Sequence, residues 1–323
     1  MKLFRASLRV FVLLVVLGIA AGVYVAYAPY GDTAAHPFNQ DRNAVWLEHR
    51  WLEKPHSVEE MEQMFRFLDH HGIVYAYPHL IPFDSAGRLP LHNREQMRAF
   101  LASARRVAPN MKLLPWVGGL RVGYKRSRAG TIDLGDLGQR QRMVAECRGL
   151  MDEGFDGIHV NVEPIANGDD DYLALLRALR AAVGTGILSL SATRPGPMAP
   201  AFAPNFFWTA DYYARIADSA DQVVLMTYDT AIPTPSLYRR YVAYAARTVT
   251  ANLARSHRTR VLVGIPTYDE TGLMHRKGVE TPENALLGVV SGLRGRTGGT
   301  FEGVALYAEW TTDPEDWATY ERV

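Results

Sequence analysis

The amino-acid sequence predicts an α/β fold: a (β/α)8 TIM barrel preceded by one N-terminal transmembrane helix. Three observations carry that expectation. Apolar, β-branched runs recur along the chain, beginning near Val45, Val74, Leu113, Ile158, Leu188, Val223, Val261 and Val304. The gaps between them are long enough for one helix each and hold helix signals, the alternation of a parallel barrel. Before the first run, the 22 residues Val10–Gly31 carry no charge and are rich in Val, Leu and Ala.

The N-terminal run matches the roughly 20 apolar residues that a bilayer-spanning helix needs. Lys2, Arg5 and Arg9 precede it, which places the N-terminus in the cytoplasm. Tyr24, Tyr27 and Tyr30 stand where an interfacial aromatic belt belongs. A cleaved signal peptide is the competing reading, with Ala26-Tyr27-Ala28 as the cleavage site. Pro29 and the length of the run oppose it. No cysteine follows the run, so a lipoprotein anchor is not available. The expected organisation is a cytoplasmic stub and signal-anchor over 1–31, a linker over 32–43, and the barrel over 44–323. The expected location is the membrane, single-pass, with the barrel on the exported side.

The gaps read as helices on local grounds. Ser57 and Glu60 form a capping box, and Met61, Met64, Phe65 and Leu68 follow on one helical face. Gly72 ends that helix. Asn93 and Gln96 open the next, with Met97, Phe100, Leu101 and Ala104 on its apolar side. Met143, Cys147, Leu150 and Met151 form another such stripe, which makes Cys147 a buried small hydrophobe. Thr281-Pro282 and Asp313-Pro314 each pair an N-cap with Pro at the first helical position. An open doubly wound sheet is the alternative, but no Gly-rich phosphate loop follows any strand.

Composition removes several function classes. Apolar residues make up 48% and charged residues 21%, which excludes disorder, collagen and coiled coil. The 35 basic and 34 acidic residues leave no excess of positive charge for nucleic-acid binding. The single cysteine, Cys147, excludes an intramolecular disulfide, a multi-cysteine zinc site and an iron–sulfur cluster.

A barrel places its chemistry at the carboxyl ends of its strands. The fourth strand is the most informative: Gly154-Phe-Asp-Gly-Ile-His-Val-Asn-Val-Glu163-Pro164. With period two, Ile158, Val160 and Val162 face the helices, and His159, Asn161 and Glu163 face the barrel interior. Such a row is costly to bury without partners. It is either a satisfied structural network or an active site with Glu163 at its mouth end. His159 taken alone reads as a hydrogen-bonded core histidine. Trp116 ends the third strand, Tyr228 and Asp229 the sixth, Tyr268 and Asp269 the seventh, and Tyr307 and Trp310 the eighth. These rings are either core plugs or flat surfaces on which sugar rings stack. His49 and His79 lie near the ends of the first two strands. His70 and His71 read as exposed helix-end histidines.

The fourth-strand motif resembles the Asp-Gly-x-Asp-x-Asp-x-Glu signature of family 18 glycoside hydrolases, the chitinase-like enzymes. Met226-Thr-Tyr228-Asp229, Val263-Gly-Ile-Pro266 and Gly303-Val-Ala-Leu-Tyr307 resemble that family's segments on strands six, seven and eight. Asp156 and Glu163 match, whereas His159 and Asn161 stand where the family usually has Asp. The Asn-x-Glu pair is similar to that of family 85 endo-β-N-acetylglucosaminidases. The resemblance implies a hydrolase of glycans that contain β-linked N-acetylglucosamine, working by a substrate-assisted, retaining mechanism; the N-terminal run adds the expectation that it is membrane-tethered and exported. Glu163 would be the acid, Asn161 and Tyr228 would hold the 2-acetamido group, and Asp156, His159, Trp116, Asp229, Tyr268, Tyr307 and Trp310 would contact substrate. No metal or organic cofactor is implied. The expected partners are a glycan and, through the N-terminal helix, a membrane, with no nucleic acid. A loop over Gly118–Gly138, with Lys125, Arg126 and Arg128, would border the mouth. A glycan-binding barrel without catalysis is the second reading, since two signature Asp residues are replaced. A different barrel enzyme acting on the cell envelope is the third.

Overall fold

A computed structural model of the chain describes residues 2–31, 42–91, 93–122, 131–196, 203–254, 256, 258–294 and 299–322. The strands are β1 (Asn43–Leu47), β2 (Ile73–Pro78), β3 (Lys112–Leu113), β4 (Trp116–Arg121), β5 (Thr131–Ile132), β6 (Gly157–Glu163), β7 (Ile187–Ala192), β8 (Arg194–Pro195), β9 (Phe207–Trp208), β10 (Gln222–Met226), β11 (Arg260–Pro266) and β12 (Phe301–Tyr307). The helices are α1 (Lys2–Tyr27), α2 (Arg50–Glu53), α3 (Val58–His70), α4 (Arg94–Val107), α5 (Leu137–Asp152), α6 (Asp170–Val183), α7 (Ala210–Ala217), α8 (Pro235–Leu253), α9 (Pro282–Leu293) and α10 (Pro314–Arg322).

Among the described residues, ten strands form one curled parallel sheet in the order β3-β2-β1-β12-β11-β10-β7-β6-β4-β5, a TIM-like architecture. Each of the eight expected runs falls in a strand of this sheet. The third run differs from expectation: it is split into β3 and β4 at Leu114-Pro115, and a short β5 adds to β4. The split joins the two ends of the curl. The Leu114 amide donates to the Ala76 carbonyl at 2.9 Å, and the Leu80 amide donates to the Trp116 carbonyl at 3.1 Å.

The helices form where the caps stand. Ser57 accepts from the Glu60 amide and Glu60 from the Ser57 amide, so the capping box starts α3. Gly72, at φ 69°, follows that helix in a conformation that glycine adopts without steric cost. Asn93 caps α4, Thr281 caps α9, and Asp313 accepts from the amides of Glu315 and Asp316 at the start of α10. Met61, Phe65, Met97, Phe100, Met143 and Cys147 are all buried on the faces expected. Burial pushes the Cys147 thiol far up, so it stays protonated and inert.

Two apolar clusters fill the fold. The outer one packs helices on strands and includes Ile158, Val160 and Val162. The inner one lies within the curl and includes Trp46, Tyr75, Tyr77, Leu114, Val224, Leu262 and Ala305. Below it the amino ends of the strands are plugged by polar groups. Tyr75 donates to Glu302 at 2.8 Å, Arg42 pairs with Glu302 at 2.7 Å, and Tyr77 and Ser189 both donate to Gln222.

The N-terminal run forms α1, with Phe11, Leu14, Leu17 and Ile19 exposed. Among the described residues no helix is long and apolar enough to cross a membrane. The membrane span expected over Val10–Gly31 is therefore not supported by the structure: the helix stops at Tyr27, because the residue before Pro29 is disfavoured as helix. Its end docks on the barrel. Thr234 donates to the Ala26 carbonyl at 2.6 Å, Arg239 donates to the Tyr30 carbonyl at 3.1 Å, and Arg240 lies over the Tyr30 ring at 4.3 Å. Thr234 caps α8, on the side where the strands end. Most of the linker expected over 32–43 lies outside the described residues, as do Lys125, Arg126 and Arg128 of the expected mouth loop.

One glycine is required by a close approach. Gly118 is paired with Asn161 across β4 and β6, and a Cβ there would stand 1.7 Å from the Asn161 carbonyl oxygen. Gly118→Ala should therefore lower stability by about 3 kcal/mol or more in chemical denaturation, as overpacking against backbone does. Gly272→Ala, where a Cβ meets nothing within 4 Å, should be neutral.

Candidate active site

The expected row on β6 is real, but its members occupy different depths. Successive inward residues step about 6.6 Å along a strand. His159, the deepest, is fully buried. It accepts from Trp46 Nε1 at 3.2 Å, lies 2.8 and 3.1 Å from the Ser189 and Ser191 hydroxyls, and stacks on Tyr77 at 4.0 Å between ring centroids. Burial lowers its pKa to about 3, so the ring is neutral. Expected among the substrate contacts, His159 instead belongs to the barrel core beneath the site, because all of its surface is covered.

Asp156 also leaves the substrate set. It precedes β6, at the opposite end of the strand from Glu163. There it accepts from Arg105 at 2.7 Å and from the Leu113 amide at 2.8 Å, and Lys112 lies 3.8 Å away. These contacts tie β6 to β3 and α4.

Asn161 and Glu163 stand above His159. The Asn161 Oδ1 is buried and has no hydrogen-bond partner among the described residues. The Glu163 carboxyl is raised above its ordinary 4.5, first by burial and then by the charge of Asp229, against a lowering by Arg194. A raised carboxyl holds a proton at pH values where an exposed glutamate has lost it.

Aromatic rings wall this end of the barrel. Tyr228 and Tyr307 stack at 5.0 Å with planes 14° apart. Tyr268 and Trp310 meet the Tyr307 ring at 5.9 and 5.8 Å, and Trp116 lies 6.3 Å from it. Trp116 itself stacks on His79 at 3.9 Å, with His49 beyond. Burial and the His49 charge lower the His79 pKa to about 4. Burial followed by the Glu163 charge pushes the Tyr307 hydroxyl up to about 12. Tyr228 is raised by burial, by Tyr307 and by Glu163. The Glu163 carboxyl and both tyrosines thus share one electrostatic environment. Gly264 leaves the space these rings use, since a Cβ there would meet Trp46 and Tyr228 at 3.3 Å.

Asp229 follows Tyr228 at φ 54° and accepts from the Tyr268 hydroxyl at 2.7 Å. Arg194 on β8 donates to the Tyr228 carbonyl at 2.8 Å and also to the Asp229 carbonyl. Sequence reasoning missed Arg194. Its signal was a basic residue directly after the fifth strand, where barrel chemistry resides. Reasoning from sequence also missed His275 and Glu280, in the segment between β11 and α9, which lie beside Asp229. A groove lined by Trp51, Met64, Phe67 and Trp317 lies on the helical flank and shares no residue with this site.

The family described as "Glycosyl hydrolases family 18" matches residues 60–322. A chitinase from Chromobacterium violaceum is similar in structure at a TM-score of 0.57 and 14% identity, over 87% of this chain and 98% of that one. The spore cortex-lytic enzyme SleL of Bacillus megaterium is similar at 0.56 and 12% identity, over 87% and 73%. At these identities the two likenesses speak for the fold. Among curated proteins none matches this chain.

The assignment of Asp156 to the structure below the site has a measurable consequence. Asp156→Ala should lower stability by about 2 kcal/mol in urea denaturation, through loss of the charged hydrogen bonds to Arg105 and Leu113. The KM of the folded enzyme should stay unchanged.

Proposed function

The chain belongs to glycosyl hydrolase family 18 and is a glycosidase, and from that premise we propose that it cleaves glycans containing β-linked N-acetylglucosamine by substrate-assisted, retaining catalysis. The observation that carries this reading is the Asn161 Oδ1. It is a buried acceptor without a partner among the described residues, and it precedes the raised Glu163 carboxyl by two residues on the same strand. A 2-acetamido N–H is a donor that fits it.

The chemistry follows from those two groups. Protonated Glu163 gives its proton to the glycosidic oxygen as the bond to the anomeric carbon breaks. The acetamide carbonyl oxygen attacks that carbon from the other face and closes an oxazolinium ring. Asn161 accepts from the acetamide N–H, which turns the carbonyl toward the reacting carbon. Tyr228 donates to the acetamide oxygen. Water then opens the ring with Glu163 as base, and configuration is retained. Most retaining glycosidases use a second carboxylate as nucleophile; here the substrate replaces it. Trp116, Tyr307 and Trp310 offer flat faces for the sugar rings.

The same reading gives the N-terminal helix a purpose. Lys2, Arg5 and Arg9 before the uncharged run Val10–Gly31 favour export of the barrel, on the charge order of the sequence alone. The helix end contacts Thr234, on the mouth side of the barrel.

The test is turnover of a panel of β-N-acetylglucosaminides by the full chain, with Glu163→Gln alongside. Cleavage by the wild type and loss of roughly 1,000-fold or more in Glu163→Gln, with binding kept, is the expected result. Retained turnover in that variant would refute the mechanism. The wild-type rate should fall as pH rises through the raised Glu163 pKa, because the acid is lost. A raised folded-state pKa also means that this group's stability contribution is full at low pH and is lost as pH rises through that pKa. Glu163→Gln should therefore gain in Tm over wild type on moving from acidic to neutral pH. Asn161→Ala should reduce kcat/KM on N-acetylated substrates by about 100-fold, measured by initial rates.

A further inference from the structure

Asp229, His275 and Glu280 place one ligand atom each within 4.8 Å of one another. The His275 Nδ1 is 3.4 Å from Glu280 Oε2 and 3.9 Å from Asp229 Oδ1. We propose that these three residues bind a divalent transition-metal ion of the Zn²⁺ or Mn²⁺ kind beside the catalytic mouth.

The argument starts from buried groups with unmet needs. Glu280 is 1% exposed and His275 is 3% exposed. The Glu280 Oε2 and both His275 ring nitrogens have no hydrogen-bond partner among the described residues. A buried carboxylate needs a compensating cation. Among the described residues, no lysine or arginine lies within ion-pair distance of Glu280. Arg194 is turned to the carbonyls of Tyr228 and Asp229, and Lys277 pairs with Asp269. A protonated His275 would supply one charge at the cost of an unpaired, buried, charged N–H at Nε2. A neutral ring bound to a metal through Nδ1 avoids that charge.

The geometry suits a small cation. Ligand bonds of about 2.0–2.1 Å in a tetrahedral site put ligand atoms about 3.3 Å apart. The two His275 spacings of 3.4 and 3.9 Å are near this value, and the three ligand atoms, all within 4.8 Å of one another, would draw together on binding. The second carboxylate oxygen of Glu280 is already held, accepting from the Thr230 amide at 2.9 Å and the Thr230 hydroxyl at 2.7 Å, so Oε2 is oriented to the shared point. Tyr268 donates to Asp229 Oδ1 itself, the oxygen nearer His275, and so fixes its position, and it packs on the His275 ring at 4.3 Å. An imidazole in the set selects a transition metal over Mg²⁺ and Ca²⁺. Asp229 is half-exposed, and a cleft lined by Glu280, Asp269, Glu270, Asp313 and Asp316 adjoins the group, giving a cation a path of favourable potential.

The test titrates chelator-treated full chain with Zn²⁺ and with Mn²⁺ in a calorimeter, with Mg²⁺ as the control, and follows Tm in parallel. One equivalent of either transition metal, a rise in Tm on binding, and an affinity loss of at least 100-fold in Glu280→Gln and His275→Ala are expected. Asp229→Asn, at a half-exposed position, gives the same readout should the buried variants not fold, with a loss of 10-fold or more. Absence of binding in the wild type overturns the proposal, as does equal binding by wild type and folded variants. The readout involves no turnover, so failure here leaves the glycosidase reading untouched, and the converse holds.

Discussion

The inner face of β6 carries three polar side chains into a parallel barrel, and the rest of the interior is arranged around the cost of burying them. At the lowest level the cost is met in full. Ser189, Ser191, Trp46 and Tyr77 surround His159 with hydrogen bonds and a stacked ring. One step up, Asn161 is partly buried, and its Oδ1 is covered with no hydrogen-bond partner among the described residues. At the strand end Glu163 is buried enough to hold its proton more tightly. Satisfaction therefore falls from floor to mouth along a single strand. The lower part is architecture and the upper part is free to act on a ligand. Gly118 belongs to the same constraint, since it lets β4 lie directly against the Asn161 backbone and fixes where that side chain points.

The parts of this arrangement that were legible in the sequence are those written in local pattern. Eight β-branched runs located strands, caps located helices, and alternation along 158–163 sorted the outer from the inner residues correctly. Depth was not legible in the same way. Alternation says that His159 faces inward, but the four residue steps from it to Glu163 amount to about 13 Å of barrel. That distance separates a core residue from a mouth residue. Asp156 was carried into the substrate set by likeness to a motif, although its place before the strand puts it at the amino end. The short pieces β3, β5, β8 and β9 depend on pairing rather than on propensity, and two-residue strands leave no periodicity to read. His275 and Glu280 sit in a segment without a repeating pattern, and only tertiary folding brings them to Asp229.

Asp229 connects the two groups of residues that matter most. Its backbone sits at positive φ, which Asp tolerates better than most residues, and Arg194 and Tyr268 hold it there from either side. From that position its charge reaches Glu163, while its carboxylate also stands near His275.

The replacement of a signature Asp by Asn161 can be understood through the same charges. A carboxylate two residues before Glu163 would raise the acid's pKa and stabilise an oxazolinium directly. Asn161 contributes a dipole and no charge, so the shift must come from elsewhere. Burial is the first source and Asp229 the second. Both act on the ground state of the acid. On the proposed mechanism, neither would stand where Asn161 does, next to the group that would turn cationic once the acetamide attacked. An enzyme built this way keeps its acid ready but stabilises its intermediate less, and the lost stabilisation falls on the first chemical step. A pre-formed oxazoline enters after that step, so its hydrolysis should suffer less from the missing charge than cleavage of the glycosidic bond does.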